Sequence, residues 1–387
     1  MTSPSMSPPF RADHVGSLLR PARLLRARDR RDRGEISTEQ LRAVEDETIE
    51  EAVRMQRDVG LATATDGEFR RTSWHLDFIY RLHGVERAES TMTVKFRNAD
   101  GELEFSSAAL AVTDRISLTA PIFAADFAFL RDTVDAVNSS TRPAPPNARQ
   151  LTAKLTIPSP SMVHYRGGPA ALDPAVYPDQ EQFWADLCAA YAVQVAGIAE
   201  LGCRYLQLDD TSLAYLNDPA QRQQIAARGE DPDHQHERYI AQLNTALAGR
   251  PPELRVTTHL CRGNYRSSWA AEGGYDFVAE ALFGGLDVDG FFLEYDDERS
   301  GGFEPLRFVP PDKFVVLGLV TTKRGELESK DALLRRIDEA AKVLPLEQLC
   351  LSGQCGFSST VEGNLLTRDQ QQAKLALIVE TAAEVWG

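Results

Sequence analysis

Four residues with metal-binding side chains lie at the ends of short apolar runs in the second half of the chain. His259 and Cys261 are two positions apart, so in extended backbone their side chains point the same way. Glu294 ends the run GFFLE, where a carboxylate needs a partner or a metal, and Cys355 lies just after the run LCLS. One imidazole, one carboxylate and two thiolates suit Zn²⁺, which is borderline-soft and takes four N, S or O ligands.

The histidine and the two cysteines also have an ordinary structural explanation when each is taken alone, whereas the carboxylate of Glu294 is harder to explain without a partner. Free cysteines are often core residues, and a strand histidine is often simply hydrogen-bonded. Together the four residues predict a zinc site. Two thiolates and a carboxylate give the zinc complex a net negative charge, and this disfavours the activation of a water molecule. Such a site can still bind a substrate thiol as its thiolate at neutral pH, which favours alkyl transfer to sulfur.

The elements that must position these residues follow a regular alternation of strand and helix. Eight short, β-rich apolar runs occupy residues 12–16, 61–66, 153–157, 205–208, 255–260, 290–294, 314–319 and 348–351. Amphipathic stretches between them include residues 38–58, 179–201, 233–248 and 330–343, with Gly60 and Gly202 placed to end the first two. Eight such units predict an α/β fold, a (β/α)₈ TIM barrel that forms one catalytic domain over residues 1–387.

In a TIM barrel the active site lies where the strands end, so polar residues there are expected to converge. His14 lies within the first run and Ser17 follows it, Glu68 follows the second run and Asp209 the fourth. His14 could orient a substrate or act as an acid, and a hydrogen-bonded structural role explains it equally well.

One segment interrupts the alternation. Between about residues 92 and 120 the pattern has period two, with Asp100-Gly101 as a turn signal in TVKFRNADGELEF. We interpret residues 86–147 as an insertion after strand two, made of a β-hairpin, a helix near 124–137 and a linker. Residues 1–10 are expected to form a disordered lead-in.

Two further groups could line a substrate pocket, and each has an ordinary alternative. The aromatic side chains that could accept a flat donor, or pack on a helix face, are Trp74, His75 and Tyr80. The arginines that could form a cationic rim, or pair with surface acids, are Arg70, Arg71, Arg262 and Arg266.

Composition narrows the compartment and the partners. The 57 acidic and 42 basic residues give a net charge of −15, which argues against nucleic acid or an anionic membrane surface as a main partner. No run of 18 apolar residues is present, so no membrane span is expected. The odd number of cysteines, five, does not suggest a disulfide framework. Without an apolar signal-peptide core at the N-terminus, a cytoplasmic protein is expected.

Stretches spread over the whole chain resemble the catalytic domain of cobalamin-independent methionine synthase, in the family's order. They are HVGSLLRP, TDGEFRR, LQLDDTSL, THLCRGNYR, FFLEYDDERSGGFEPL and LSGQCGFSS. The resemblance implies that Zn²⁺ is held by His259, Cys261, Glu294 and Cys355. Because there is one barrel here, the resemblance is to the stand-alone, single-barrel branch of the family.

The resemblance also assigns the substrate residues. It implies that Glu68 and Asp209 bind the amino group of homocysteine, and that its carboxylate lies near Gly16 and Ser17. The tryptophan that stacks on the pterin in the long enzyme has no counterpart in KLTIPSPSMVHYRGG, and DDTS replaces a proline after the strand-four acid. The methyl donor, a folate or a corrinoid protein, therefore stays open.

Three functional hypotheses follow. The first is a zinc-dependent S-methyltransferase acting on homocysteine or an analogue, with Glu68, Asp209 and His14 as catalytic residues; a variant of it alkylates another thiol with an epoxide. The second is a metal-free barrel of the decarboxylase type, similar in fold to the uroporphyrinogen decarboxylases. The third is a non-catalytic barrel with a structural zinc, which would be closed by four protein ligands.

Overall fold

The computed structural model of the protein describes residues 10–98, 101–141 and 149–387. Its strands, β1 to β9, are Thr63–Ala64, His83–Asn98, Gly101–Ser117, Thr152–Pro158, Tyr205–Asp210, Arg255–Leu260, Gly290–Glu294, Phe314–Val320 and Leu349–Gly353. Its α-helices, α1 to α12, are Ala22–Asp32, Thr38–Asp58, Leu76–Ile79, Ala124–Asn138, Ser161–Tyr165, Gln180–Glu200, Ser212–Tyr215, Pro219–Ala227, Gln235–Leu247, Ala279–Gly285, Lys330–Ala341 and Arg368–Trp386. Short 3₁₀ segments cover Gly168–Ala171, Glu298–Ser300, Glu304–Phe308 and Leu346–Gln348.

Seven parallel strands form one curled sheet in the order β1-β4-β5-β6-β7-β8-β9. Strands that follow one another around the sheet also follow one another along the chain, once the hairpin β2–β3 is set aside. Most are buried along their whole length, as in FVVLGLV of β8, because helices cover the outer face while side chains fill the inside. The predicted α/β class is confirmed as a TIM-barrel-like arrangement with parallel strands.

The predicted strand at residues 12–16 is wrong as a regular strand. Ala12 makes only an isolated parallel bridge to Leu351, with Asp13 N donating to Leu351 O at 3.0 Å. On the other side, the contact to β1 is made by a side chain, since Thr63 Oγ1 donates to Asp13 Oδ1 at 2.7 Å. The segment thus lies between β9 and β1, but side chains replace part of the main-chain ladder.

The other predicted elements agree with the structure to within a few residues, apart from the second strand. That strand, predicted at residues 61–66, is only Thr63–Ala64. The predicted helices at 38–58, 179–201, 233–248 and 330–343 correspond to α2, α6, α9 and α11. Gly60 and Gly202 have φ of 95° and 91°, the left-handed conformation expected of glycines that end helices.

The insertion after β1 contains an antiparallel hairpin and a helix. β2 and β3 pair from His83 opposite Ser117 to Asn98 opposite Gly101, and α4 follows at Ala124–Asn138. The hairpin begins before the predicted start at residue 86. The turn residue Asp100 and the linker residues 142–148 lie outside the described part, as do residues 1–9 of the predicted lead-in.

Helices pack on the sheet through apolar faces, and among those described α2, α6, α8 and α12 begin with a side-chain cap. In α2, Ser37 and Gln40 form a capping box, and the buried face includes Ile49 and Val53. Of the helices that the structure describes, each is too short or too polar to cross a lipid bilayer.

Candidate metal centre and active site

The four predicted metal ligands meet at the carboxyl ends of three strands. His259 lies in β6 and Cys261 directly after it, Glu294 is the last residue of β7, and Cys355 follows β9. All four are buried, and one ligand atom from each lies within 4.8 Å of the others. The two Sγ atoms are 3.4 Å apart. Tetrahedral zinc with Zn–S bonds of about 2.3 Å places neighbouring sulfurs roughly 3.8 Å apart, so the cluster has suitable dimensions.

The nitrogen and oxygen donor atoms of this cluster are poorly satisfied by the protein. Among the described residues, no hydrogen bond of normal geometry reaches Oε1 of Glu294 or the ring nitrogens of His259, whose ring lies near the Phe292 backbone. Leaving buried polar atoms unpaired is costly, and a bound cation would supply the missing partner. Burial, assisted by the charge of Lys154, lowers the pKa of His259 to about 3, so the ring is neutral and keeps a lone pair for a metal.

The electrostatics of the anionic ligands fit a dication as well. The Cys355 thiol and burial raise the pKa of Cys261, and burial raises that of Glu294. Without a cation, these neighbouring groups would disfavour one another's ionisation. A divalent cation at their centre reverses this effect and deprotonates a coordinating thiol. The residues present therefore fit Zn²⁺.

Arg262 holds Glu294 in place through its main chain and side chain. Its Nη1 donates to Glu294 O at 3.0 Å and to the hydroxyl of Tyr275 at 3.1 Å, and it lies 3.9 Å from Glu294 Oε2. The Tyr275 hydroxyl in turn accepts from Glu294 N at 2.9 Å. Arg262 is completely buried, so neither the cationic rim nor the surface pairing considered for it is correct.

Two buried acids form a second group close to the cluster. Oε1 of Glu68 accepts from Thr156 Oγ1 at 2.8 Å and lies 3.5 Å from Arg71 Nη1, whereas Oε2 has no partner among the described residues. Asp209 Oδ1 accepts from Gln207 Nε2 at 2.7 Å. Burial, and then the charge of Glu68, raise the pKa of Asp209. Because the two carboxylates repel each other when both are ionised, they favour a positively charged group between them.

The backbone at Glu68 is in an unusual conformation that aims its carboxylate. Glu68 has φ of 60°, uncommon for a residue other than glycine, and its N donates to Asp66 Oδ1 at 2.8 Å. Such outliers persist when surrounding contacts hold them, and they cluster at functional sites.

Of the residues near the start of the chain that were predicted for the site, Ser17 reaches the cavity and His14 does not. Ser17 lines the same cavity as Glu68 and Asp209, and its Oγ accepts from Ser358 N at 3.2 Å. His14 does not line the cavity. Asp13 and Val15 face the interior of the curled sheet, so alternation sends His14 towards the helices. Burial lowers the pKa of His14 to about 4, and its ring lies near the side chain of Gln56 in α2, on the helix side of the sheet.

A cavity connects these groups, and the hairpin forms one of its walls. Phe96 of β2 and Phe105 of β3 line it, with ring centres 5.4 and 5.0 Å from that of Tyr265. The hairpin is fixed there by its main chain, since Arg97 N donates to Trp269 O at 2.7 Å and Trp269 N to Arg97 O at 2.9 Å. The insertion therefore shapes the site.

Only some of the aromatic and arginine residues predicted to line a pocket do so. Trp74 and His75 line the cavity, whereas Tyr80 is not among its lining residues. Arg71 supports Glu68, while Arg70 pairs with the acids Asp46 and Asp126 outside the cavity. Sequence reasoning did not single out several lining residues, which lie in the two hairpin strands, in helix α7 and in loops: Phe96, Phe105, Arg166, Tyr215, Asn264 and Tyr265.

The family follows from a match over most of the chain. Residues 133–384 match the family model described as cobalamin-independent synthase, catalytic domain. The chain belongs to the cobalamin-independent synthase family. This synthase-family chain is 45% identical to the uncharacterized protein YxjH of Bacillus subtilis (strain 168), over 98% of this chain and 95% of that one.

Other relatives extend the comparison. A structure from Listeria monocytogenes, assigned as a candidate vitamin-B12-independent methionine synthase, is 37% identical, has a TM-score of 0.75 and covers 99% of both chains. The 5-methyltetrahydropteroyltriglutamate–homocysteine methyltransferase of Thermotoga petrophila is 21% identical over 91% of this synthase-family chain and 42% of its own length. The predicted enzyme class, methyltransferase, is confirmed. The relatives give no support to a corrinoid protein as partner.

Proposed function

We propose that this enzyme is a zinc-dependent S-methyltransferase that methylates homocysteine, or a close amino-acid analogue, from a methyltetrahydrofolate-type donor. The proposal depends chiefly on one observation: a metal-ligand cluster with unpartnered donor atoms and a pair of buried carboxylates open into the same cavity. An amino-acid thiol has the complementary groups, a sulfur and an ammonium. We further propose that residues 1–387 are one TIM-barrel domain, with residues 12–16 in the first-strand position.

The chain's own residues bind and orient the substrates. His259, Cys261, Glu294 and Cys355 would hold the zinc, which when bound supplies a Lewis acid that lowers the pKa of a substrate thiol. Glu68 and Asp209 would then hold the ammonium group, which fixes the direction of the thiol side chain.

Ser17 and the backbone at Gly16, which lie beside Glu68, would accommodate the substrate carboxylate, since that group is attached to the same carbon as the ammonium group. The apolar hairpin wall, with Phe96 and Phe105, limits the access of water to the reacting sulfur, which keeps a thiolate nucleophilic because it is less well hydrated. His14 has no role in this proposal, since it is turned away from the cavity.

The two competing hypotheses explain less. A metal-free decarboxylase would leave buried donors on His259 and Glu294 unpaired without a reason. A purely structural zinc needs no substrate cavity, whereas Cys261 and Cys355 both line one.

The test combines metal analysis with a methyl-transfer assay. We expect about one zinc ion per purified chain and formation of methionine from homocysteine and 5-methyltetrahydrofolate. Cys355→Ser should lose both zinc and activity. Cys188→Ser is the matched control, because that thiol lies 3.3 Å from Gln242 O, to which a hydroxyl can donate equally well. Full turnover by zinc-free protein, or full zinc content and turnover in Cys355→Ser, would contradict the proposal.

A further inference from the structure

Arg166 brings a positive charge to the cavity without an acidic partner. It follows α5, is half-buried and lines the cavity together with the metal ligands. Its Nη2 is 3.4 Å from the Tyr215 hydroxyl, and its guanidinium carbon lies 5.2 Å from the centre of the Tyr215 ring. Among the residues that the structure describes, no carboxylate oxygen comes within 4.0 Å of its nitrogens. Guanidinium groups carry five N–H donors, so Arg166 keeps donors for a ligand.

His75 lines the same cavity, and Ser73 holds its ring. Ser73 Oγ accepts from Leu76 N at 3.4 Å and lies 3.1 Å from His75 Nδ1. A hydroxyl has one hydrogen and two lone pairs, so this contact is compatible with either tautomer, and we take the one in which the hydroxyl donates to Nδ1 and the ring proton is on Nε2. Burial, and then the charge of Arg166, lower the pKa of His75, which keeps the ring neutral. In this tautomer the ring has an N–H donor at Nε2.

These two side chains differ in character from the acid pair that lines the same cavity. Arg166 and, in the assigned tautomer, His75 present donors to a ligand, whereas Glu68 and Asp209 present only acceptors when ionised. An aromatic ring lies beside His75, with the Trp74 ring centre 4.5 Å from the His75 ring centre. An amino-acid thiol satisfies the acid pair with its ammonium group, and that leaves Arg166 and His75 for the second substrate.

We propose that Arg166 and His75 are specificity residues that bind an oxygen acceptor, a carbonyl or a carboxylate, on the methyl donor. The inference rests on the proposed function, in which homocysteine occupies the acid pair and a methyltetrahydrofolate-type molecule is the donor. A charge-assisted bond from Arg166 sets the donor's position, and the Nε2–H of His75 adds a second, weaker bond. Neither residue touches the reacting sulfur.

The test compares Arg166→Met with wild type in two measurements. The first is the dissociation constant of 5-methyltetrahydrofolate, by calorimetry without any thiol; the second is the KM of each substrate in the methyl-transfer assay. We expect a rise of at least about tenfold in both donor constants, as for the loss of a charge-assisted hydrogen bond. The KM of homocysteine and the zinc content should stay unchanged.

Further variants make the expected pattern specific. His75→Phe, which keeps a ring but no donor, should weaken donor binding by about threefold, and Arg166→Lys should recover part of the affinity. Arg115→Met is the control, since Arg115 is an exposed hairpin residue paired with Asp186 and does not line the cavity. Repeating the titration with 5-methyltetrahydropteroate, which lacks the glutamate tail, locates the acceptor: a persisting effect of Arg166→Met places it on the ring system, and a lost effect places it on the tail.

Failure of this inference differs from failure of the proposed function. Equal donor constants in Arg166→Met and wild type, or a rise in the KM of homocysteine alone, would overturn the inference while wild-type turnover stands. A zinc-bearing wild type that neither binds nor uses 5-methyltetrahydrofolate would overturn the proposed donor and the inference with it.

Discussion

Gly16 and Thr156 approach so closely that a β-carbon added to Gly16 would lie 2.7 Å from Cγ2 of Thr156 and 3.4 Å from Oε1 of Glu68. Gly16 also has φ of 147°, a conformation that other residues rarely adopt. A glycine at this point allows the first segment to reach β4 where Thr156 holds the Glu68 carboxylate.

Gly16→Ala should therefore lower the free energy of unfolding by about 1–3 kcal/mol and raise the KM of homocysteine, because Thr156 and Glu68 must shift. Thr156→Ser removes Cγ2 but keeps the hydroxyl that binds Glu68, so it should restore part of both losses. Chemical denaturation and kinetics on the four proteins of this double-mutant cycle measure the effect. Strictly additive losses would show that the two residues do not interact in this way.

Glu68→Gln should weaken binding of the amino-acid thiol without removing the metal. The change keeps the shape of the side chain but removes the charge that attracts an ammonium group, for which we expect a rise of about tenfold or more in the KM of homocysteine. Kinetics and zinc analysis on the same samples check both parts. Glu45→Gln serves as the control. Glu45 belongs to α2, pairs with Arg28 and does not line the cavity. An unchanged KM would remove Glu68 from the site.

Arg262→Gln should loosen the metal centre through Glu294. Supporting residues of this kind typically contribute tenfold to hundredfold in metal affinity, so we expect zinc to dissociate about tenfold more readily. Competition with a chromophoric chelator measures this without an activity assay. The zinc affinity of Arg262→Lys, which retains the charge, should lie between those of wild type and Arg262→Gln. This second variant keeps the test decisive if Arg262→Gln does not fold. Zinc affinity equal to that of wild type in folded Arg262→Gln would refute a positioning role.

His14 should affect acid stability and not turnover. Its pKa is about 4 in the folded protein and about 6.5 when unfolded, so the unfolded chain binds the extra proton first as the pH falls. Stability from this group is complete above pH 6.5 and is lost between about pH 6.5 and 4, at up to about 1.4 kcal/mol per pH unit.

His14→Gln removes this contribution, so its unfolding free energy should fall less steeply over that range. Denaturant titrations between pH 4 and 7 give the slopes for both proteins. A large loss of kcat with an unchanged pH slope would return His14 to the catalytic residues and contradict its placement in the structure.

The sequence by itself determined where the strands end and which ligand types stand there. Alternating apolar and amphipathic runs are local patterns, and His259, Cys261, Glu294 and Cys355 lie at fixed offsets from them, so their convergence followed from the geometry of parallel strands. The roles of Glu68 and Asp209 came from the resemblance to a family, because the chemistry of a single carboxylate does not specify its ligand.

Only the tertiary structure decided the features that depend on long-range packing. Residues 12–16 read as a strand, yet side-chain bonds of Asp13 replace part of the ladder, and the interior position of Asp13 turns His14 away from the cavity. The docking of the hairpin, the burial of Arg262 and the meeting of Arg166 with His75 join segments far apart in sequence. No local period encodes such contacts, since they arise when separate loops are brought to one end of the curled sheet.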